Sequence, residues 1–249
     1  MPRVLLNELI RAVCNWRFAV AVGATVIVAL ISGSDNITIL KQSSMVENIG
    51  ELSIRAAAAC MQMDAFLLTL PILCVIPYAD SFVEDLQTHF LREYLPLAGK
   101  NRYLFSKVTV TALSGGLALC VGQLIVLLIC TGIFPPLGIE PGEYAFTYYH
   151  YFLALLMVVF GGLAWSLVGG ISGAALRNRY MAYAMPFIIF YVLSSFQIRY
   201  FRTAYVFSLQ EWIRPAHLAL PTALICGAAA VAGVYFIYYF IMRRRLYEV

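Results

Sequence analysis

VTVTALSGGLALCVGQLIVLLICTGIF, residues 108–134, contains no Asp, Glu, Lys or Arg. A helix rises 1.5 Å per residue, so about 20 apolar residues cross the hydrocarbon of a bilayer. This run is long enough to span a membrane and to tilt within it. The rest of the chain has the same character. Hydrophobic residues make up 62% of the 249 positions and charged residues only 12%, against about 25% in soluble domains. Mean hydropathy is +0.82. A soluble fold of this size would lack the polar surface to cover such a core. The composition therefore specifies an all-α, polytopic membrane protein.

Six spans are expected: Arg17–Ser34, about Ala56–Ala79, Val108–Phe134, Tyr151–Leu176, Tyr180–Phe196 and Leu218–Met242. The second is interrupted by Gln62, Asp64, Pro71 and Pro77. Lys and Arg are distributed unevenly between the loops. Arg3, Arg11, Arg17, Arg92, Lys100, Arg102, Lys107, Arg177, Arg179 and Arg243 to Arg245 fall on one side, and Lys41, Arg55, Arg199, Arg202 and Arg214 on the other. The positive-inside rule makes the richer side cytoplasmic, with both termini there. The formal charge of +4 is thus a topology signal, with no nucleic-acid partner implied. The six cysteines form no CxxC pair and have no histidine at zinc-ligand spacing, so they read as packing residues and no metal site is expected.

Residues 1–16 carry Val4, Leu5, Leu9 and Val13 on one side, with Arg3, Asn7 and Arg11 largely opposite. That pattern suits a helix lying in the membrane interface. With no internal repeat and no linker, residues 1–249 form one membrane domain.

Several motifs can be tested by spacing. Gly99-Lys100 suggests a phosphate-binding loop, but the first glycine of that pattern would fall at Tyr94 and the magnesium-binding hydroxyl at Asn101. The chain has no ATP site of this kind and is not expected to be an enzyme. Gly170-Ile171-Ser172-Gly173 suggests an intramembrane serine protease, yet no span supplies the histidine that such a serine needs. Gly162, Ser166, Gly170 and Ala174 instead recur every four residues, giving a helix face of small side chains for close helix packing, within the chain or across a dimer. Asp64 and Gln123 are the polar side chains within spans that could line a substrate path.

The charged segment 80–107 ends in EYLPLAGKNRYLFSK, residues 93–107. Ser81 and Glu84 fit a capping box. Phe82, Val83, Leu86, Phe90 and Tyr94 then fall within about 120° of one another around a helix. Glu84, Asp85, Thr88 and Arg92 occupy the remaining side. Pro96 stops the helix, Gly99 turns the chain, and a second helix from about Asn101 continues into the third span.

This segment resembles the cytoplasmic corner between spans two and three of type-2 ABC transporter permeases. The positions that match are Glu84, Pro96, Asn101-Arg102 and Lys107. The stretch GGISGAALRNRYMAYAMPF, residues 169–187, is similar to the same family at Gly170, Ser172, Asn178 and Ala182. Gln87-Thr88 departs from the Gly-Thr-like element that many members have. The resemblance implies a six-span permease half of an exporter in a bacterial inner membrane, paired with a second permease chain. ATP and magnesium would be bound by partner ATPase subunits, and this chain would need no cofactor. It further implies that the corner is a coupling helix, with Phe82, Leu86 and Phe90 as apolar anchors on the ATPase and Glu84, Asp85 and Arg92 as polar contacts. Arg102 and Lys107 are read as anchors to lipid headgroups. A membrane-anchored interaction or immunity protein and an ion-coupled carrier are the other function classes compatible with the sequence.

Overall fold

The computed structural model describes residues 2–43, 52–88, 91, 94, 99–134, 141–200 and 220–246. The described residues contain helices and turns and no strand. The helices are α1 (Pro2–Val13), α2 (Trp16–Ser43), α3 (Leu52–Gln62), α4 (Asp64–Leu73), α5 (Ser81–Gln87), α6 (Lys100–Ile133), α7 (Pro141–Leu176), α8 (Arg179–Tyr200) and α9 (Leu220–Leu246).

Segments Trp16–Lys41, Lys100–Ile133, Tyr149–Leu176, Arg179–Gln197 and Pro221–Leu246 are each long and apolar enough to cross a membrane. The expected second span is two helices, α3 and α4, bent by 66°. Met63, between them, is extended, with φ −69° and ψ 137°. The exposed Gln62 and Asp64 flank it. A break of this kind frees backbone groups that lipid cannot satisfy, so it requires protein around it. Here Ile54, Cys60 and Met61 of α3 and Phe66, Leu67 and Leu70 of α4 are all buried.

The hairpin of α6 and α7 forms the centre. In α7, 44% of the most apolar stretch is buried within the chain, against 11% in α9. Glycines set the closeness of the central seam. A Cβ on Gly115 would stand 2.6 Å from the Cys74 carbonyl oxygen and 2.6 Å from Ser166 Cβ. A Cβ on Gly162 would stand 2.7 Å from Leu119 and 3.2 Å from Gly116 Cα. The Ser166 hydroxyl donates to the Thr111 carbonyl of α6. One turn later the same stripe meets α9, where a Cβ on Gly170 would lie 2.6 Å from the Tyr238 ring. Ala174 is fully buried. Gly162, Ser166 and Gly170 therefore serve packing inside the chain.

Three local expectations change. The first span helix runs on to Ser43. The helix begun at Ser81 is a short element, followed at Thr88 by a turn, although Leu91 and Tyr94 are again helical. The capping box does not form: Asp80 is the N-cap, no side chain caps the helix, and the buried Ser81 hydroxyl has no partner among the described residues. The Glu84 carboxylate is drawn instead toward Arg17 and Arg179.

Candidate functional site

The starts of α2, α6 and α8 and the ends of α7 and α9 meet at one end of the bundle, with α1 and α5 packed among them. Arg17, at the start of α2, holds both oxygens of the Asp80 carboxylate at 3.0 Å. It also lies 3.8 Å from Glu84, which Arg179 of α8 approaches to 3.5 Å. Arg245 near the end of α9 donates to the Ala175 carbonyl near the end of α7, at 2.6 Å.

Lys107 lies at the middle of this end, fully buried. Its Nζ is 2.6 Å from Asp85 Oδ2, 3.1 Å from the Tyr78 hydroxyl and 3.4 Å from Glu8 Oε2. It also stands 4.7 Å from the centre of the Tyr78 ring, within cation–π range. Asp85 accepts from Tyr103 at 2.7 Å and, through its other oxygen, from Arg11 at 3.0 Å. Tyr78 donates to Glu8. Two cations, Lys107 and Arg11, thus balance two carboxylates, Glu8 and Asp85. Lys107, Asp85 and Glu8 are buried and require such balance, because each loses its hydration, while Arg11 reaches in from the exposed side.

The environment fixes protonation. Burial pushes the Asp85 carboxyl up, but Lys107, Tyr103 and Arg11 outweigh it, and the group titrates below its usual range. Burial, reinforced by the Glu8 charge, pushes the Tyr78 phenol well up. At neutral pH Asp85 is ionised and Tyr78 is a neutral donor, which is what their hydrogen bonds require.

The network lies between two apolar layers. Ala12, Tyr78 and Val110 close one side, with Leu5 and Leu9 of α1 against them. Phe82, Leu91, Tyr103, Leu104, Tyr238 and Met242 form the other. The buried face of α1 thus carries Glu8 inward among Leu5, Leu9 and Ala12, while Leu6, Ile10 and Val13 are exposed. Val13 was expected on the same side as Leu5 and Leu9. Glu8 was missed, although it stands three or four residues from Leu5 and Ala12 and shares their face. It is the one acidic residue of the first 34 positions. Lys107 is no headgroup anchor: its amine is enclosed, and Asp85 and Glu8 are the anions it meets.

The corner residues separate by burial. Phe82 and Asp85 are fully buried and turned into the bundle, so neither offers a surface to a soluble protein in this conformation. Glu84 and Leu86 are half-buried, and Gln87 and Thr88 exposed. Phe90 and Arg92 lie outside the described residues. At the root of α6, Lys100, Asn101 and Arg102 are exposed, and Gly99 takes φ +81°.

Asp64 and Gln123 are the residues expected to line a substrate path. Asp64 is exposed beside the bend, whereas Gln123 is fully buried in α6. The Gln123 side-chain amide has no hydrogen-bond partner among the described residues. Those residues also contain no group of three His, Cys, Asp or Glu that could hold a metal. Compared with known proteins, the chain matches no family model, no curated protein and no solved structure.

Proposed function

We propose that the chain is the transmembrane permease subunit of an ATP-driven exporter. In this reading it crosses the cell membrane six times, α3 and α4 together making one crossing, and the charged end and both termini are cytoplasmic. A second permease chain completes the pathway, and partner ATPase subunits bind ATP and magnesium.

The observation that carries this reading is how α5 is held. Asp80 ties its start to α2, Glu84 ties it to α8, and Asp85 ties it to α6 and α1. Its exposed positions, Gln87 and Thr88, are polar, and Tyr103 near the start of α6 donates to its Asp85. A push on this corner is therefore delivered to four helices at once, most stiffly through the buried Asp85–Lys107 pair, since the Glu84 pairs are partly exposed and weaker. A chain with no phosphate-binding loop needs a transmission point of this type if its work is driven by ATP. The coupling surface is then the outer side of the corner: Glu84, Leu86, Gln87 and Thr88, with Lys100, Asn101 and Arg102 from α6. Phe82 and Asp85 act behind that surface by fixing it to the bundle.

The test is purification of the chain from its native membranes in mild detergent, with identification and stoichiometry of the associated subunits. An ATP-hydrolysing partner is expected. A triple Gln87→Ala, Thr88→Ala, Arg102→Ala variant should lower its recovery at least tenfold while membrane insertion is unchanged. Recovery of the chain without any ATPase, or ATPase recovery unaffected by that variant, overturns the coupling assignment.

A further inference from the structure

A cavity of about 240 Å³ lies between α7, α8 and α9, away from the ion network. Its wall includes Met157 and Trp165 of α7, Ile189 and Leu193 of α8, and Leu224 and Val234 of α9. Glycine and alanine positions make up much of the remainder, Gly161, Ala164, Gly227 and Ala230 among them. These small residues are why the space exists: longer side chains at such positions would close it. A Cβ on Gly227 would meet nothing within 4 Å.

We propose that this cavity binds a single hydrocarbon chain drawn from the bilayer, such as the acyl tail of a membrane lipid. Three observations lead to this occupant. First, every lining side chain is apolar, the Trp165 indole N–H being the sole polar group, so the wall cannot satisfy water or a hydrogen-bonding solute. Apolar protein cavities of about 150 Å³ stay dry and take up apolar ligands. Second, Ala164 and Trp165 and Ile189 fall near the middles of the membrane-crossing segments of α7 and α8, and Gly227 and Ala230 lie within the first half of that of α9. The medium at that depth is lipid tails. Third, the wall includes residues with one side open to that medium: Leu193 is 47% exposed, and Leu224 and Gly227 are half-buried. A tail can enter sideways, gaining contact with the wall where no side chain of the protein reaches. The inference does not depend on the transport reading and holds for any membrane protein with this wall.

The test reconstitutes the full-length chain in phosphatidylcholine vesicles containing a phosphatidylcholine with a diazirine midway along one acyl chain. After illumination, labelled peptides are mapped by mass spectrometry. Wild type should carry at least five times more label on the cavity wall, at Met157, Leu193 or Leu224, than on the outward-facing Ile27 of α2 and Leu128 of α6. Filling the space with Ala164→Phe, or separately with Gly227→Leu, should remove that excess and leave the label on α2 and α6 unchanged. Two variants are used so that one that folds poorly still leaves a reading, and the wild-type ratio stands alone. Equal labelling of wall and controls overturns the proposal. It is also overturned if the wall is unlabelled and Gly227→Leu dissociates a dimer, since a second copy would then occupy the cavity.

Discussion

Lys107 shows how a single residue type can be read in two ways. In the sequence it is one of several basic residues near the start of a span, where headgroup contact is the ordinary role. In the fold its amine sits among Asp85, Glu8 and two phenols, one from the segment leading into α5 and one from α6. That enclosure depends on long-range pairing with residues 22 and 99 positions away, which no local pattern encodes. Removing one partner of a buried pair leaves the other charge uncompensated and costs about 3–5 kcal/mol. Lys107→Met should therefore lower unfolding stability in detergent by about that amount. The double variant Lys107→Met, Asp85→Asn should lose less than the sum of the two single changes, and strictly additive losses would disprove direct coupling. The same site sets an acid limit. The Asp85 value in the folded state is depressed below the ordinary 3.8, so its contribution is complete above that pH and disappears as pH falls through the folded value. Thermal unfolding should be insensitive to Asp85 from neutrality down to weak acid and then decline, and Asp85→Asn should flatten the decline.

The elements differ in how much local sequence determines them. The long apolar helices follow from uninterrupted runs, and α6 enters its span from Lys100 as one continuous helix, close to the expected start at Asn101. A disturbance of the second run was also visible: Gln62 and Asp64 flank the bend, whereas Pro71, also expected to interrupt the run, lies inside α4. The capping box failed for a physical reason. Asp80 and not Ser81 is the N-cap, so Ser81 and Glu84 each sit one position too far into the helix for the reciprocal bonds, and Glu84 faces Arg17 and Arg179 instead. The buried faces of α1 were only partly legible, since Leu5, Leu6, Leu9 and Ile10 offer more than one apolar stripe and α6 selects between them. Helix packing gives a paired prediction. Gly115→Ala forces a Cβ into the Cys74 carbonyl and Ser166, and should cost about 1–3 kcal/mol by overpacking. Gly23→Ala in α2 meets open space and should instead be neutral or stabilise by up to about 1 kcal/mol, from helix propensity. Gly99 is a third case. A Cβ there would touch nothing within 4 Å, but φ +81° penalises any L side chain, so Gly99→Ala should destabilise the corner through conformation alone.

For the whole molecule, contacts at one end constrain the path of the chain. The start of α2 meets Asp80 beyond α4, the start of α8 meets α5, and the end of α9 meets the end of α7. Near the end of α2, Asn36 lies 3.6 Å from Met63 at the bend. The chain thus travels out along α2 and returns through α4 to the charged end, which supports counting the bent pair as one crossing. The native cysteines provide a way to test this. Cys14, beside the charged end, is exposed, whereas Cys60, Cys74 and Cys130 are buried and Cys120 and Cys226 lie within apolar helices. In sealed vesicles, a membrane-impermeant maleimide should label Cys14 only when the charged end faces the medium. In vesicles turned inside out, that end should be outward if it is cytoplasmic, as the proposed topology has it from the concentration of Lys and Arg. Thr38→Cys, on the exposed side of the far part of α2, placed in a Cys14→Ser background, should label only in vesicles of the opposite orientation. Labelling of both positions from the same side would mean that α2 does not cross the membrane, and the six-crossing topology would fall with it. Labelling of Cys14 only in right-side-out vesicles would invert the protein and remove α5 from the reach of any cytoplasmic ATPase.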